Sequence, residues 1–381
     1  MTPFVLLSAL LHVYVGWRIV PALAPAGAPV GVAGAAFAAV LAASALLLPM
    51  TLLARRVRRQ PLADRLTWAG SLAMGLFSSL FVLTLLRDVV LLVLALTALI
   101  VPLAWLPAFD RASALAVPLL GLLATVVGFW NARRTAAIVE VDVPIAGLPA
   151  ALHGFTIAQI SDIHVGPTIK RAYLRRIVDA VNGLGADMVA VTGDLVDGSV
   201  GELAAHVAPL ADLASRHGTF FVTGNHEYYS GAAGWVVELR RIGLQVLMNE
   251  HVVVRHADAE LVVAGVTDYG AHQFDPAQRS DPLAAIAGAP TRAGMRMLLA
   301  HQPRSAEAAE RAGFDLQLSG HTHGGQFWPW NLLVPLQQPF TAGLNRLRRL
   351  WVYTSRGTGY WGPPKRFGAP SEITRLRLVA S

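Results

Sequence analysis

Apolar residues follow two rhythms along this chain. Over the first third they form long, almost uncharged runs; from about residue 136 they form short runs alternating with amphipathic stretches of helical period. A helix needs about 20 apolar residues to span a bilayer. Segments 3–20, 30–54 and 113–130 qualify, and 66–106 continues for 41 residues broken only by Arg87 and Asp88. Trp17, Trp68, Trp105 and Trp130 stand near the run ends, where indoles favour the membrane interface. Four such runs exceed what a soluble core encloses, so residues 1–135 are expected to be a multi-span α-helical membrane anchor. No basic segment precedes the first run and further runs follow, which argues against a cleaved signal peptide.

Beyond the anchor, 155–160, 188–192, 219–223, 260–265, 295–300 and 315–319 read as buried strands, after an initial strand and turn over 136–152. Segments 173–184, 203–215, 234–242 and 304–312 read as helices. This alternation predicts an α/β domain over 136–381, with helices covering sheets.

Composition changes the picture in one respect. Hydrophobic residues make up 54% of the 381 positions and charged ones only 14%, with a net charge of +7 and no cysteine. Disulfides, zinc–thiolate sites and cysteine nucleophiles are therefore excluded. Residues 1–135 hold ten Arg against three Asp, a balance of +7, while 136–381 balance to zero with 21 basic and 21 acidic residues. The charge reports topology: a catalytic part without net positive charge is no polyanion binder, and no nucleic-acid partner is expected. Five Arg in 55–65 place that loop in the cytoplasm and the 21–29 loop outside, in a multi-pass protein of the cell inner membrane whose partner is the lipid bilayer. The 41-residue run fits two arrangements. A hairpin at Arg87 and Asp88 gives five spans and a periplasmic C-terminal domain. One long tilted span gives four and a cytoplasmic domain, which Arg133 and Arg134 favour. His12, Arg87 and Asp88 are either an intramembrane polar site or, the simpler reading, anchoring and pairing groups.

Polar residues gather where the predicted strands end. Ser161-Asp162-Ile163-His164 follows the first, Gly193-Asp194-Leu195-Val196-Asp197 the second and Gly224-Asn225-His226-Glu227 the third; His301-Gln302-Pro303 and Gly320-His321-Thr322-His323 follow two others. Ligands bind at strand carboxyl ends in such sheets. In Asp162-x-His164 and His321-x-His323, residues i and i+2 of extended chain point to one side and can grip a single ion. Carboxylates, an amide and imidazoles suit two divalent transition ions, with Mn²⁺ the expected species and iron or zinc also fitting. Asp194 stands centrally, able to bridge two ions about 3.5–4 Å apart, a clamp for in-line attack at phosphorus.

The ordered blocks D-x-H, G-D-x-x-D, G-N-H-E, H-Q-P and G-H-T-H over 155–325 resemble the calcineurin-like metallophosphoesterase superfamily. The extended GHTHGGQ at 320–326, the Tyr353-Thr354-Ser355-Arg356-Gly357-Thr358-Gly359 segment and the anchor resemble its membrane-anchored bacterial branch. The resemblance implies a four-layer αββα sandwich. It implies one metal held by Asp162, His164, Asp194 and His323, and a second by Asp194, Asn225, His301 and His321. His226 would be the general acid, Asp194 the bridging carboxylate that holds an attacking hydroxide, and Asp197 an orienting group. It also implies hydrolysis of a phosphoester at the membrane, a lipid-linked phosphodiester or pyrophosphate such as UDP-2,3-diacylglucosamine. Two alternatives stay open: a nucleotide or cyclic-nucleotide phosphodiesterase, and a non-catalytic metal-binding membrane scaffold. Gly198 and Thr223 stand where protein phosphatases of the superfamily carry Arg, which argues against a phosphoprotein substrate. Arg356 is open between a phosphate contact and a surface ion pair. The aromatic group at 327–330, with Trp351, Tyr360 and Trp361, is open between core packing and a membrane-facing lip.

Overall fold

The computed structural model describes residues 2–24, 31–54, 56–57 and 59–381. Arg55, Arg58 and most of the 21–29 loop fall outside them. Contacts divide the chain into two units, Met1–Trp130 with Gly362–Phe367, and Asn131–Trp361 with Gly368–Ser381.

In the first unit, helices α1 (Thr2–Ile19), α2 (Val32–Leu47), α3 (Met50–Ala54), α4 (Leu62–Ala98) and α5 (Leu106–Arg133) follow one another. Pro49 separates α2 from α3, because it has no N–H to continue the ladder. Among the described residues, four segments are long and apolar enough to cross a membrane: Pro3–Leu23, Val32–Ala54, Leu62–Ala98 and Leu106–Arg133. The hairpin at Arg87 and Asp88 is absent, since α4 runs unbroken through both. Their polar groups are met without a turn. Arg87 donates to the Asp110 carboxylate at 2.5 Å, the Asp110 carbonyl at 3.0 Å and Ser113 Oγ at 3.0 Å. Asp88 accepts from the Tyr14 hydroxyl at 2.7 Å and Arg18 Nε at 2.8 Å. Gly70 lets α4 approach the α2–α3 corner closely, for a Cβ there would lie 2.7 Å from Thr51 Cγ2 and 2.8 Å from the Leu47 carbonyl.

The second unit carries twelve strands: β1 (Ala137–Ile145), β2 (Thr156–Ile160), β3 (Met188–Val191), β4 (Thr219–Phe221), β5 (Gln245–Val246), β6 (Glu250–His256), β7 (Ala259–Gly265), β8 (Met295–Leu299), β9 (Leu316–Ser319), β10 (Gly343–Leu347), β11 (Leu350–Thr354) and β12 (Glu372–Ala380). They form two six-stranded sheets, ordered β1-β12-β2-β3-β4-β5 and β10-β11-β9-β8-β7-β6. Within them β2 to β5 are mutually parallel, as are β7, β8, β9 and β11.

Strand alternation builds the layers. Ile157, Met188, Ala190 and Phe220 meet Met297, Leu299, Leu316 and Leu318 in one core between the sheets. Their neighbours Ala158, Ile160, Val189, Val191 and Phe221 turn the other way, onto α6 (Arg171–Asn182), α7 (Val200–Val207) and, past the short α8 (Asn225–Tyr229), α9 (Ala232–Arg241). Ala264, Leu298 and Ala300 likewise face α10 (Pro282–Ile286) and α11 (Ala306–Arg311). The order is helices, sheet, sheet, helices. A Leu→Ala change in the inter-sheet layer costs about 2–5 kcal/mol, because both flanking sheets resist collapse into the cavity. Parallel pairing also brings the carboxyl ends of β2, β3 and β4 to one edge of their sheet, and those of β8 and β9 to one edge of theirs.

Candidate metal centre

Five turns leave those edges, and they are stitched together by backbone hydrogen bonds. The Asp162 N–H donates to the Gly193 carbonyl at 3.0 Å and the His164 N–H to the Asp194 carbonyl at 3.1 Å, so the turns after β2 and β3 move as one. The Gly359 N–H caps the Asp162 carbonyl at 3.1 Å from the other side. Asp162, His164, Asp194, His321 and His323 all have φ between 51° and 70°. Left-handed backbone is uncommon outside glycine and carries a strain of about 1–3 kcal/mol per residue, held only where surrounding structure over-determines it. Five of the eight expected site residues thus sit in strained turns that aim their side chains at one place. Gly193, at φ 88°, makes this possible: a Cβ there would lie 2.7 Å from the Gly224 nitrogen and 2.8 Å from His301 Nδ1.

Three overlapping groups of ligand atoms result, in each of which all atoms lie within 4.8 Å of one another: Asp162, His164 and His323; His164, Asp194 and His226; Asp194, His301 and His321. His164 Nε2 faces His323 Nε2 at 3.0 Å, and His323 Nε2 lies 3.5 Å from Asp162 Oδ1. His301 Nε2 is 3.2 Å from Asp194 Oδ2 and 3.2 Å from His321 Nδ1. The buried Asn225 Oδ1 has no hydrogen-bond partner. Converging lone pairs and an orphaned amide oxygen fit cations in this space, because an uncompensated buried acceptor is costly.

The outer nitrogens are fixed for the same task. His301 Nδ1 pairs with the Thr192 carbonyl at 2.7 Å, which requires the proton there and turns Nε2 toward Asp194. Asp197 Oδ1 lies 3.1 Å from His164 Nδ1 and 2.5 Å from His226 Nδ1, orienting both rings. Burial opposes charge throughout, and the neighbours decide the outcome. Asp194 stays well below the usual carboxylate range because His301, His226 and His164 surround it. His301 is lifted well above the usual imidazole range against its burial, chiefly by Asp194. Burial and His301 push His321 down to about 3, leaving it neutral. His226 rises to about 9, since Asp197 and Asp194 outweigh its burial.

Glu227 is the main contributor to which sequence reasoning gave no role. It is fully buried and accepts N–H bonds from Gly224 (2.6 Å), Leu195 (2.7 Å), Asp194 (3.0 Å) and Val196 (3.3 Å), fastening the turn after β3 to the start of α8. Burial and the Asp194 charge outweigh these donors and raise its carboxyl to about 8. Its signal was a Glu three residues after the helix N-cap Gly224, where the carboxylate can accept the N-cap N–H. Arg356 pairs with the buried Glu372 at 3.0 Å while its stem borders Gly324. Of the aromatic group, Tyr360 and Phe327 are buried, whereas Trp328, Trp330 and Trp361 are exposed.

Residues 155–325 match the description "Calcineurin-like phosphoesterase". An uncharacterized metallophosphoesterase of Aquifex aeolicus is 32% identical over 224 residues, covering 58% of this chain and 84% of that protein. The chain belongs to the calcineurin-like phosphoesterase family. A transmembrane protein with metallophosphoesterase domain from Danio rerio is 39% identical over 276 residues, which is 70% of this chain and 63% of that protein, so the chain spans less than two thirds of that relative's length. An uncharacterized metallophosphoesterase of Helicobacter pylori is 37% identical over 257 residues, 66% of each. Membership of the calcineurin-like family implies a pair of divalent ions, which the converging donors fit.

Proposed function

We propose that this protein is a membrane-anchored, metal-dependent hydrolase of phosphoesters, acting on a lipid-linked phosphodiester or pyrophosphate such as UDP-2,3-diacylglucosamine. The observation that carries the reading is the convergence of seven ligand-type side chains from five turns beside a His226–Asp197 pair. Asp162, His164, Asp194 and His323 would hold one ion, and Asp194, Asn225, His301 and His321 the other. Such ions, Mn²⁺ by this reading, polarise phosphoryl oxygens and lower the pKa of water toward neutrality.

The chain's own residues do the rest. Asp194 offers Oδ2 toward His301 while its Oδ1 accepts the His226 N–H at 2.8 Å, so the central carboxylate is held in one rotamer. Asp197 occupies Nδ1 of His226, which directs Nε2 to within 4.0 Å of Asp194 Oδ2. In the metal-free fold His226 is raised to about 9 against its burial, chiefly by Asp197, and a ring protonated in this way would deliver its proton from Nε2 to the departing oxygen. A metal-binding scaffold has no use for such an acid. The four apolar helices support a lipid-borne substrate, and the Arg-rich 55–65 loop with Arg133 and Arg134 supports a cytoplasmic catalytic domain at the inner membrane.

The test is turnover by the purified protein with Mn²⁺ of UDP-2,3-diacylglucosamine, an aryl phosphodiester and an aryl phosphomonoester. The reading expects the first two to be cleaved. Stoichiometric Mn²⁺ with no turnover of any of the three would establish the scaffold instead.

A further inference from the structure

The segment between the GHTHGGQ loop and β10 has no part in the chemistry above. From Gln326 to Asn345 the chain carries no charged residue over 20 positions. Both feet of this loop are fastened beside the site. The Gln326 side chain exchanges two 2.8 Å hydrogen bonds with the Trp361 backbone. The Thr322 hydroxyl donates to the Thr341 carbonyl at 2.7 Å, and Gln338 Nε2 donates to Oε1 of Gln302, the neighbour of His301, at 3.1 Å. Between the feet, Trp328, Trp330, Leu332, Leu333 and Leu336 are exposed, Leu336 to 80%. Other exposed apolar side chains of this unit are mostly scattered singly, as on any soluble surface, whereas here five fall within nine residues. Trp361 and Tyr229, both exposed, add ring contacts to His226 with centroids 5.8 and 5.2 Å away.

We infer that this crown inserts into the interfacial layer of a lipid bilayer. Leucines flanked by indoles, without a charge, match that layer, where apolar bodies enter the acyl boundary and ring N–H groups stay at headgroup level. The chain's own apolar helices hold the protein on a bilayer, so lipid is present at high effective concentration. The fastened feet keep the crown beside the metal-ligand turns, and the mouth between them receives phosphates at headgroup depth. Only this last consequence rests on the phosphoesterase reading; the lipid contact itself does not.

The absence of cysteine makes the test direct. Full-length Leu333→Cys and, separately, Leu336→Cys, each labelled with an environment-sensitive fluorophore, are reconstituted into vesicles of phosphatidylcholine and phosphatidylglycerol. Asp258→Cys is the control, because it lies in the β6–β7 turn, at the end of that sheet opposite the site. Both crown positions should show blue-shifted emission and a several-fold loss of signal when nitroxide-bearing lipid is included, with Asp258→Cys unaffected. Water-like emission at both crown positions overturns the inference, and so does blue-shifted emission that nitroxide lipid leaves unquenched, which would mean protein covers the crown. Hydrolysis of bis(para-nitrophenyl) phosphate by the same samples reports separately on the catalytic reading.

Discussion

His12 and His301 are both buried imidazoles, one in each unit, and their surroundings differ in a single respect. His12 uses Nδ1 on the Ser8 carbonyl at 2.7 Å and Nε2 on Ser44 Oγ at 3.0 Å, with its ring stacked 3.6 Å from Phe77. Both of its nitrogens are satisfied by neutral partners. His301 also commits Nδ1 to a carbonyl, but its Nε2 faces Asp194 and His321, where other lone pairs gather. Burial therefore does not mark a ligand; what the second nitrogen faces does. The aspartates repeat the lesson. Asp88 has two donors on one oxygen, from Tyr14 and Arg18, with Arg87 3.5 Å from the other, whereas Asp194 keeps Oδ2 turned toward three imidazoles.

The sharpest way to break this contrast is to remove the shared carboxylate. Asp194→Asn should lower turnover by about 10³-fold, near 4 kcal/mol of barrier, and strip the protein of bound Mn²⁺ measured by elemental analysis. His226→Gln should cost about 10²–10⁴-fold in turnover yet leave the metal content whole. A His226 variant that lost its metal would show that His226 is a ligand, as its place in one of the three atom groups also allows.

Sequence made the convergence of these residues legible because types able to ligate a metal are expensive to bury and easy to recognise when placed at successive strand ends. All eight expected site residues lie on the edge where the five turns meet. The helical runs were equally legible, since spanning length is a property of the pattern itself. What escaped notice was of another kind. β10 and β12 mix Arg and polar residues into their apolar pattern because they lie at or beside sheet edges, as Arg346, Arg375 and Arg377 show. Glu227 looked like one more letter of a motif, although four backbone donors from two turns converge on it. Pairing between distant segments, such as Arg87 with Asp110, leaves no local signature, and so the choice between a hairpin and one long helix stayed open until the partners were placed.

A smaller effect tests how His226 is held. Its pKa in the metal-free fold, about 9 against 6.5 when unfolded, is raised, so the pair with Asp197 stabilises the fold fully below 6.5 and loses that contribution as pH climbs through about 9. The shift corresponds to about 3 kcal/mol. In metal-stripped protein the His226 ring should titrate near 9 by NMR, and Asp197→Asn should return it toward 6.5. The same variant should weaken Mn²⁺ binding about 10–100-fold, because His164 loses its orienting partner. An unmoved His226 titration in Asp197→Asn would show that Asp194, not Asp197, holds the proton.

The smallest effect belongs to the other side of the comparison. Ser44→Ala deprives His12 Nε2 of its hydrogen-bond partner across helices α1 and α2 and leaves the ring stacked on Phe77. One neutral hydrogen bond is at stake, so the loss should be about 1 kcal/mol, read as a lower unfolding midpoint of the detergent-solubilised protein. Turnover and metal content should stay at the parental level, because no atom freed by the change lies among other acceptors. If the variant instead altered Mn²⁺ binding or turnover, His12 would not be a satisfied structural histidine, and the criterion drawn from its second nitrogen would fail.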